Sequence, residues 1–138
     1  MRYHRLRADE GFTLVELLVT ILIIGILAAI AIPAFVNQRS KAQHAEAKTM
    51  VTTAATAMVV RESDTGTFAG ATQAELTRIE SSLGQALNLQ IDGTQDTFEV
   101  SVDSQAGGTF TIARAEDGTV TRTCSAPGPG ACAEDNSW

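Results

Sequence analysis

The architecture of this chain follows from one segment, GFTLVELLVTILIIGILAAIAIPAF, which runs from Gly11 to Phe35. A single carboxylate, Glu16, lies inside this otherwise uncharged apolar run. A charged carboxylate costs on the order of 2.5–3.5 kcal/mol at the middle of a membrane helix, and a position near one end lowers that cost without removing it. We therefore expect a compensating positive charge, and the best candidate is one that appears only after processing of the chain.

Length and composition suit this run for a membrane. The segment from Leu17 to Val36 contains no Lys, Arg, Asp or Glu. At about 1.5 Å per residue it spans the roughly 30 Å hydrocarbon core of a bilayer. Residues 37–138 form a short soluble remainder that can bury only a modest core. We expect one small domain attached to an apolar helix.

Charge is distributed unevenly along the chain. Its formal net charge is −6, yet Arg2, Arg5 and Arg7 all fall within the first ten residues. Positive flanks tend to stay on the cytoplasmic side of a membrane, so we expect the acidic C-terminal part to lie outside. The acidic balance also argues against general nucleic-acid binding, which requires a positive surface.

The two cysteines, Cys124 and Cys132, flank the turn-forming segment SAPGPGA. Its prolines and glycines allow the chain to double back, so the two thiols can approach each other. Because His4 and His44 are far away in sequence, a zinc site is a poorer explanation than a disulfide. A bridge over so short a loop stabilises by about 2.5 kcal/mol in the chain-entropy model, and it implies an oxidising compartment.

Three interpretations of the apolar run remain at this point. A secretory signal peptide would use a small-residue cleavage site such as Ala29-Ile30-Ala31, but the apolar run continues past it. A plain membrane anchor leaves both Glu16 and the abrupt junction at Gly11-Phe12 unexplained. The third interpretation is a leader that is cut before the run, which then stays attached as the mature N-terminus.

The segment Gly11-Phe12-Thr13-Leu14-Val15-Glu16 resembles the processing motif of type IV prepilins and the related pseudopilins. The resemblance covers about residues 5–62 and is most specific from Gly11 to Val36. It implies that prepilin peptidase cuts between Gly11 and Phe12 and methylates the amine of Phe12. It also implies that Glu16 pairs with the amine of a neighbouring subunit during assembly. In a helix the four-residue spacing would also let Phe12 and Glu16 meet within one chain.

Gly25 and Pro33 interrupt the apolar helix. Proline costs about 3 kcal/mol or more in a helix interior and glycine about 1 kcal/mol, although membrane helices tolerate both as ordinary kinks. The resemblance to pilins implies that the stretch between Gly25 and Pro33 can lose helical structure in a filament.

Beyond the apolar run we expect an α+β fold. Neither proline nor glycine occurs between Pro33 and Gly66, so one helix can continue to about Arg61 before Ser63-Asp64-Thr65-Gly66 ends it. Apolar residues at steps of three and four predict the face that supports a globular head. These residues are Val51, Ala54, Ala55, Met58 and Val59.

The head is predicted from shorter patterns. Thr72 and Glu75 have the spacing of a capping box, which predicts a short helix from about Gln73 to Leu83. Alternating apolar residues predict three half-buried antiparallel strands. These residues are Phe98, Val100, Val102, Phe110, Ile112 and Val120.

The predicted architecture is a long N-terminal helix, apolar in its first half and amphipathic in its second, packed on a small antiparallel β-sheet head with a C-terminal disulfide loop. The segments are a removable leader at 1–11, a transmembrane or filament-core helix at 12–36, the amphipathic half of the same helix at 37–62, and the head at 63–138 with its loop at 124–132.

The sequence predicts neither an enzyme nor a cofactor, because no catalytic triad, phosphate loop or convincing metal-ligand cluster is visible in it. Glu134 and Asp135 are weak calcium candidates by resemblance to the major pseudopilins, since acidic tails are usually only solvated.

The leading functional hypothesis is a structural subunit of a type IV pilus, a surface filament for adhesion, motility or DNA uptake. The alternatives are a pseudopilin of a type II secretion system and a membrane-anchored binding module that never polymerises. The leading hypothesis implies several partners: other copies of the chain, prepilin peptidase, the pilus assembly machinery, and the membrane before assembly. It places the precursor in the cytoplasmic membrane with its head outside, and the assembled subunit at the cell surface.

Overall fold

The computed structural model describes residues 11–126 and 128–138, so most of the predicted leader and Pro127 of the loop lie outside the described residues. The elements are α1 (Leu14–Thr65), α2 (Gln73–Ile79), a 3-10 helix (Ser81–Gln85), β1 (Gln90–Gly93), β2 (Phe98–Asp103), β3 (Thr109–Arg114) and β4 (Val120–Cys124). The chain divides into two compact units after Val36. The predicted α+β class, with its long helix, antiparallel sheet and C-terminal disulfide, is confirmed.

Helix α1 is continuous over 52 residues. It ends at Thr65, where Gly66 takes a φ of 74° and donates its N–H to the carbonyl of Glu62 at 2.7 Å. Glycine enters this left-handed conformation without the steric cost of a side chain, which makes it the usual residue after a helix. The helix thus ends within the predicted Ser63-Asp64-Thr65-Gly66 stretch, but it extends about one turn beyond the predicted limit near Arg61.

The sheet has four strands in the order β1-β2-β3-β4, and every neighbouring pair is antiparallel. The prediction of three strands was wrong because it missed β1. Gln90–Gly93 holds one large apolar side chain, Ile91, so it shows no alternating pattern. Its pairing with β2 at the sheet edge is a tertiary contact that the local sequence pattern does not predict.

The core lies between the second half of α1 and one face of the sheet. The predicted inward side chains of β2 and β3 are confirmed, since all five are at most 4% exposed. On α1, Val51, Ala54 and Met58 are fully buried as predicted. The prediction was wrong for Val59 and Val120, which are 40% and 50% exposed. Both line an open groove between α1 and β4, because the helix does not cover the edge strand of the sheet.

The capping box of α2 is confirmed. The Thr72 hydroxyl accepts the N–H of Glu75, and the Glu75 carboxylate accepts the N–H of Thr72. This backbone hydrogen bond is the main cause that lowers the pKa of Glu75, and Arg61 of α1, 3.3 Å away, lowers it further. The predicted extent to Leu83 was wrong, because Glu80 is extended at φ −137° and the chain restarts as a 3-10 helix. Ser81, Ser82 and Gly84 are weak helix formers.

His44 of α1 is an exceptional member of this core. Its side chain is fully buried, and its ring lies edge-on to Phe110 with 5.8 Å between the ring centroids. Neither ring nitrogen finds a hydrogen-bond partner among residues 11–126 and 128–138. An unsatisfied buried polar group costs about 1–3 kcal/mol of desolvation, so we expect the two ring nitrogens to lower the stability of the head.

We expect His44→Leu to raise the free energy of unfolding by about 1 kcal/mol, because it removes unsatisfied polar atoms and keeps an apolar side chain against Phe110. Denaturant unfolding of the full chain in detergent, followed by the fluorescence of its single tryptophan, measures the change. His44→Gln is the matched control: it keeps a polar group and should give no gain. A destabilised His44→Leu protein would contradict the prediction.

Candidate functional site

The start of α1 defines the geometry around Glu16. Thr13 precedes the first helical residue, Leu14, and its hydroxyl accepts the backbone N–H of Glu16 at 3.1 Å. Glu16 therefore occupies the third helical position, where the helix dipole favours a negative charge. The spacing from Thr13 to Glu16 is that of a capping box, so the sequence itself contains a signal for this helix start, which we did not predict. In the described part of the chain, nothing donates a hydrogen bond to the Glu16 carboxylate.

Phe12 lies outside the helix and is 82% exposed. The expectation that Phe12 and Glu16 share a helical face was wrong for this form of the chain, because the Thr13 cap starts the helix after Phe12. Pairing within one chain therefore has no helical basis here. Cleavage after Gly11, methylation of Phe12 and pairing of Glu16 with a neighbour's amine all stay predictions.

The apolar half of α1 has its side chains in contact with solvent. Each large apolar side chain from Phe12 to Val36 is at least 45% exposed. Within the described residues, α1 is the one helix long and apolar enough to cross a membrane. The Thr20 hydroxyl in this stretch donates to the carbonyl of Leu17 at 2.7 Å, so its donor is satisfied inside the helix. So large an apolar surface requires a covering partner, and membrane anchoring fits it.

Gly25 and Pro33 both lie inside α1, which remains helical through them. Pro33 has no N–H to offer the carbonyl of Ala29, so one helical hydrogen bond is absent at this place. Among the described residues, no neighbouring atom lies within 4 Å of a Cβ built on Gly25. Loss of helix between these residues in a filament stays a prediction.

The disulfide joins Cys124 to Cys132, with 5.8 Å between their Cα atoms. The bridged loop lies close to the core. Its residues Ala126 and Ala131 are buried, and a Cβ added to Gly108 would overlap the Cα of Ala126. Gly108 therefore permits a close approach that any other residue would block.

Lys48 of α1 fastens the C-terminal loop to the helix. Its ammonium donates to the carbonyl of Gly130 at 3.0 Å and lies 5.3 Å from the ring centroid of Phe110. Trp138 completes this contact: its indole N–H donates to the carbonyl of Thr123 at 3.0 Å, and its ring meets Phe110 edge-on. The loop is thus held by a covalent bond, hydrogen bonds and aromatic contacts.

The two calcium candidates lie just beyond the bridge. The carboxylate of Asp135 accepts the hydroxyl and the backbone N–H of Ser137, and these hydrogen bonds lower the pKa of Asp135. No cluster of three potential metal ligands occurs within the described part of the chain. Calcium binding by Glu134 and Asp135 stays an untested prediction.

Comparison with known proteins identifies the N-terminal segment. Residues 6–32 match the family model for the prokaryotic N-terminal methylation motif. The chain is 54% identical over 41 residues to the type IV major pilin protein PilA of Myxococcus xanthus, an overlap that covers 30% of this chain and 19% of that protein. The resemblance to type IV pilins is thereby confirmed.

Other relatives agree. A fimbrial protein of Moraxella nonliquefaciens is 53% identical over 45 residues, which are 33% of this chain and 29% of that protein. The type IV major pilin protein PilE1 of Neisseria gonorrhoeae is 53% identical over 39 residues, which are 28% and 24% of the two chains. The matches thus span about a fifth to under a third of these curated relatives. No solved structure matches the chain significantly.

Replacing both cysteines, Cys124→Ser with Cys132→Ser, should lower the free energy of unfolding of the head by about 2.5 kcal/mol, because the closed loop is short. The measurement is denaturant unfolding of the full chain followed by tryptophan fluorescence. Reduction of the unaltered protein should reproduce the loss, whereas reduction of the double variant should add nothing. Equal stability of the variant and the oxidised protein would contradict a stabilising bridge.

Proposed function

We propose that this chain is the precursor of a structural subunit of a type IV pilus. The observation that carries the proposal is the apolar half of α1, exposed along its length, which begins three residues after Gly11 and overlaps the methylation motif matched at residues 6–32. A membrane covers this surface before assembly, and the same surfaces of neighbouring subunits cover it afterwards. The role is structural, and the chain's other copies are its principal partners.

In our proposal, processing supplies the positive charge that compensates the carboxylate of Glu16. In our proposal prepilin peptidase cuts between Gly11 and Phe12 and methylates the new amine, which keeps its positive charge. The carboxylate of Glu16, which accepts no hydrogen bond from the described residues, then meets the amine of a neighbouring copy. Removing one member of an ion pair in a low-dielectric site is strongly destabilising, so this pair guides subunits into the growing filament.

We also propose that the head lies outside the cytoplasmic membrane. The arginines of the leader favour the cytoplasmic side, and the disulfide loop requires an oxidising compartment. After assembly the head forms the surface of the pilus, and this surface serves adhesion, motility or DNA uptake.

Filaments sheared from the native host and analysed by mass spectrometry test this proposal. We expect a chain that begins at methylated Phe12 and contains the Cys124–Cys132 bridge. Gly11→Val is the control for processing: apart from its chain neighbours, no atom of the described residues lies within 4 Å of a Cβ at Gly11, so we expect its defect to arise at the peptidase. This variant should keep its leader and stay in the membrane. Filaments that lack the chain would contradict the proposal, and short periplasmic filaments would indicate a pseudopilin.

A second experiment separates the charge of Glu16 from its place in the helix cap. Glu16→Gln keeps the side-chain length and removes the charge, and we expect about a tenfold or greater loss of sheared filaments because the neighbour's amine loses its partner. Thr13→Ala removes the capping hydroxyl and keeps the charge, which costs only about 1 kcal/mol of helix stability. Filament yield by immunoblot should therefore change little. Equal losses in both variants would indicate that capping, rather than charge, explains Glu16.

A further inference from the structure

The outer face of the sheet carries a pair of like charges. Asp92 of β1 lies directly opposite Glu99 of β2 in the strand register. Their Cβ atoms are therefore about 4.5–5.5 Å apart, and like charges in this arrangement repel each other. Both side chains line a shallow cleft of about 290 Å³. In the part of the chain that the structure describes, neither carboxylate accepts a hydrogen bond or forms an ion pair.

Asp103, on the same face of β2, shows how a carboxylate is satisfied here. It accepts the Thr109 hydroxyl at 2.6 Å and the Asn88 amide at 2.8 Å. These hydrogen bonds lower the pKa of Asp103. In contrast to Asp103, the carboxylates of Asp92 and Glu99 have neither a hydrogen-bond donor nor a cation partner among the described residues of the head.

The opposite face of the sheet carries two cations on β3 and β4. Arg114 pairs with Val120, so Arg122 is its diagonal neighbour on the same face. The guanidinium of Arg114 lies 5.2 Å from the ring centroid of Phe68, and that of Arg122 lies 5.6 Å from the ring of Trp138. An arginine over an aromatic ring is held in place while its N–H fork stays available for a carboxylate. Within the described residues neither arginine forms an ion pair.

These arginines border the open groove between α1 and β4, which we call the α1–β4 groove. It has a volume of about 320 Å³. Val59 and Val120 expose apolar surface in it, and none of its described lining residues is acidic. In a chain with a net charge of −6, this combination of two cations and apolar surface suits an acidic partner.

We propose that the Asp92–Glu99 pair of one head docks on the α1–β4 groove of a second copy. Arginine binds carboxylates with parallel hydrogen bonds, so the two uncompensated pairs satisfy each other. The two surfaces differ, and a contact between different surfaces of identical subunits continues into rings or open helical arrays rather than stopping at a dimer. This inference rests on the proposed pilus and names a head contact that orders it.

Arg114 also lines the cleft of Asp92 and Glu99, but Arg122 cannot meet either carboxylate within one head. Glu99 projects from the outer face of β2, whereas Arg122 lies on the inner face of β4, and β3 separates the two strands. A direct link between Arg122 and either carboxylate therefore reports contact between two copies.

Charge reversal in the native host tests the contact. Arg122→Glu and Glu99→Arg should each reduce sheared filaments by about tenfold, because like charges then face each other. The double variant should recover to within about threefold of the unaltered chain, because the pair is restored with its signs exchanged. Arg78→Glu is the matched control, with the same change of charge on the exposed surface of α2, and its filament yield should be unchanged.

Chemical cross-linking decides the case in which a reversed charge prevents folding. Arg122→Lys keeps the charge and supplies an amine that a zero-length carbodiimide can join to a carboxylate. In purified filaments of this variant we expect a dimer band whose cross-linked peptides join position 122 to Asp92 or Glu99. Lys41 and Lys48 serve as internal reference amines, and linkage of position 122 only to other acids would overturn the contact.

The two proposals fail in different ways. Filaments that contain the chain, tolerate Arg122→Glu and give no cross-link from position 122 would overturn the head contact and leave the pilus proposal standing. The head contact is also overturned if both single variants lose filaments and the double variant recovers none. Filaments that lack the unaltered chain would overturn the pilus proposal, and the head contact with it.

Discussion

Burial of one face of α1 against the sheet is the contact on which the head depends. Val51, Ala54 and Met58 on this face are inaccessible to solvent. This packing holds β2 and β3 over the helix and leaves the β4 side open. The groove beside Val59 and Val120 is a direct consequence, because a single helix cannot cover the inner face of a four-stranded sheet to its edge.

Among the charges that lack an ion pair within the described part of one copy of the chain, two sets stand out by their positions. Glu16 stands at the start of an exposed apolar helix, and the sheet separates the Asp92–Glu99 pair from Arg122. In both of our proposals, a second copy of the chain supplies the opposite charge. Charges that a monomer leaves unpaired add specificity to an assembly, because only one arrangement of copies satisfies them.

Several contacts stabilise the C-terminal loop on the head, and a group that lacks hydrogen-bond partners lies beside them in α1. The disulfide, the Lys48 hydrogen bond and the aromatic contacts of Trp138 hold the loop on the head. Beside them, His44 and Phe110 form a buried edge-on pair in which the histidine nitrogens lack partners among the described residues. A covalent bridge is well placed here because a small head gains little from its apolar core alone.

The sequence by itself determined the elements that depend on local rules. Periodicity and the absence of proline and glycine predicted the reach of α1, alternation predicted β2 and β3, and the turn-rich spacing of the cysteines predicted their bridge. The motif at Gly11–Glu16 indicated the candidate site without any tertiary contact. Only the tertiary structure decided the pairing of β1, the exposure of Val59 and Val120, the burial of His44, and which charges share a face. These features depend on where the edge of one element falls relative to another, and such distances arise between residues far apart in the chain, beyond the reach of any local pattern.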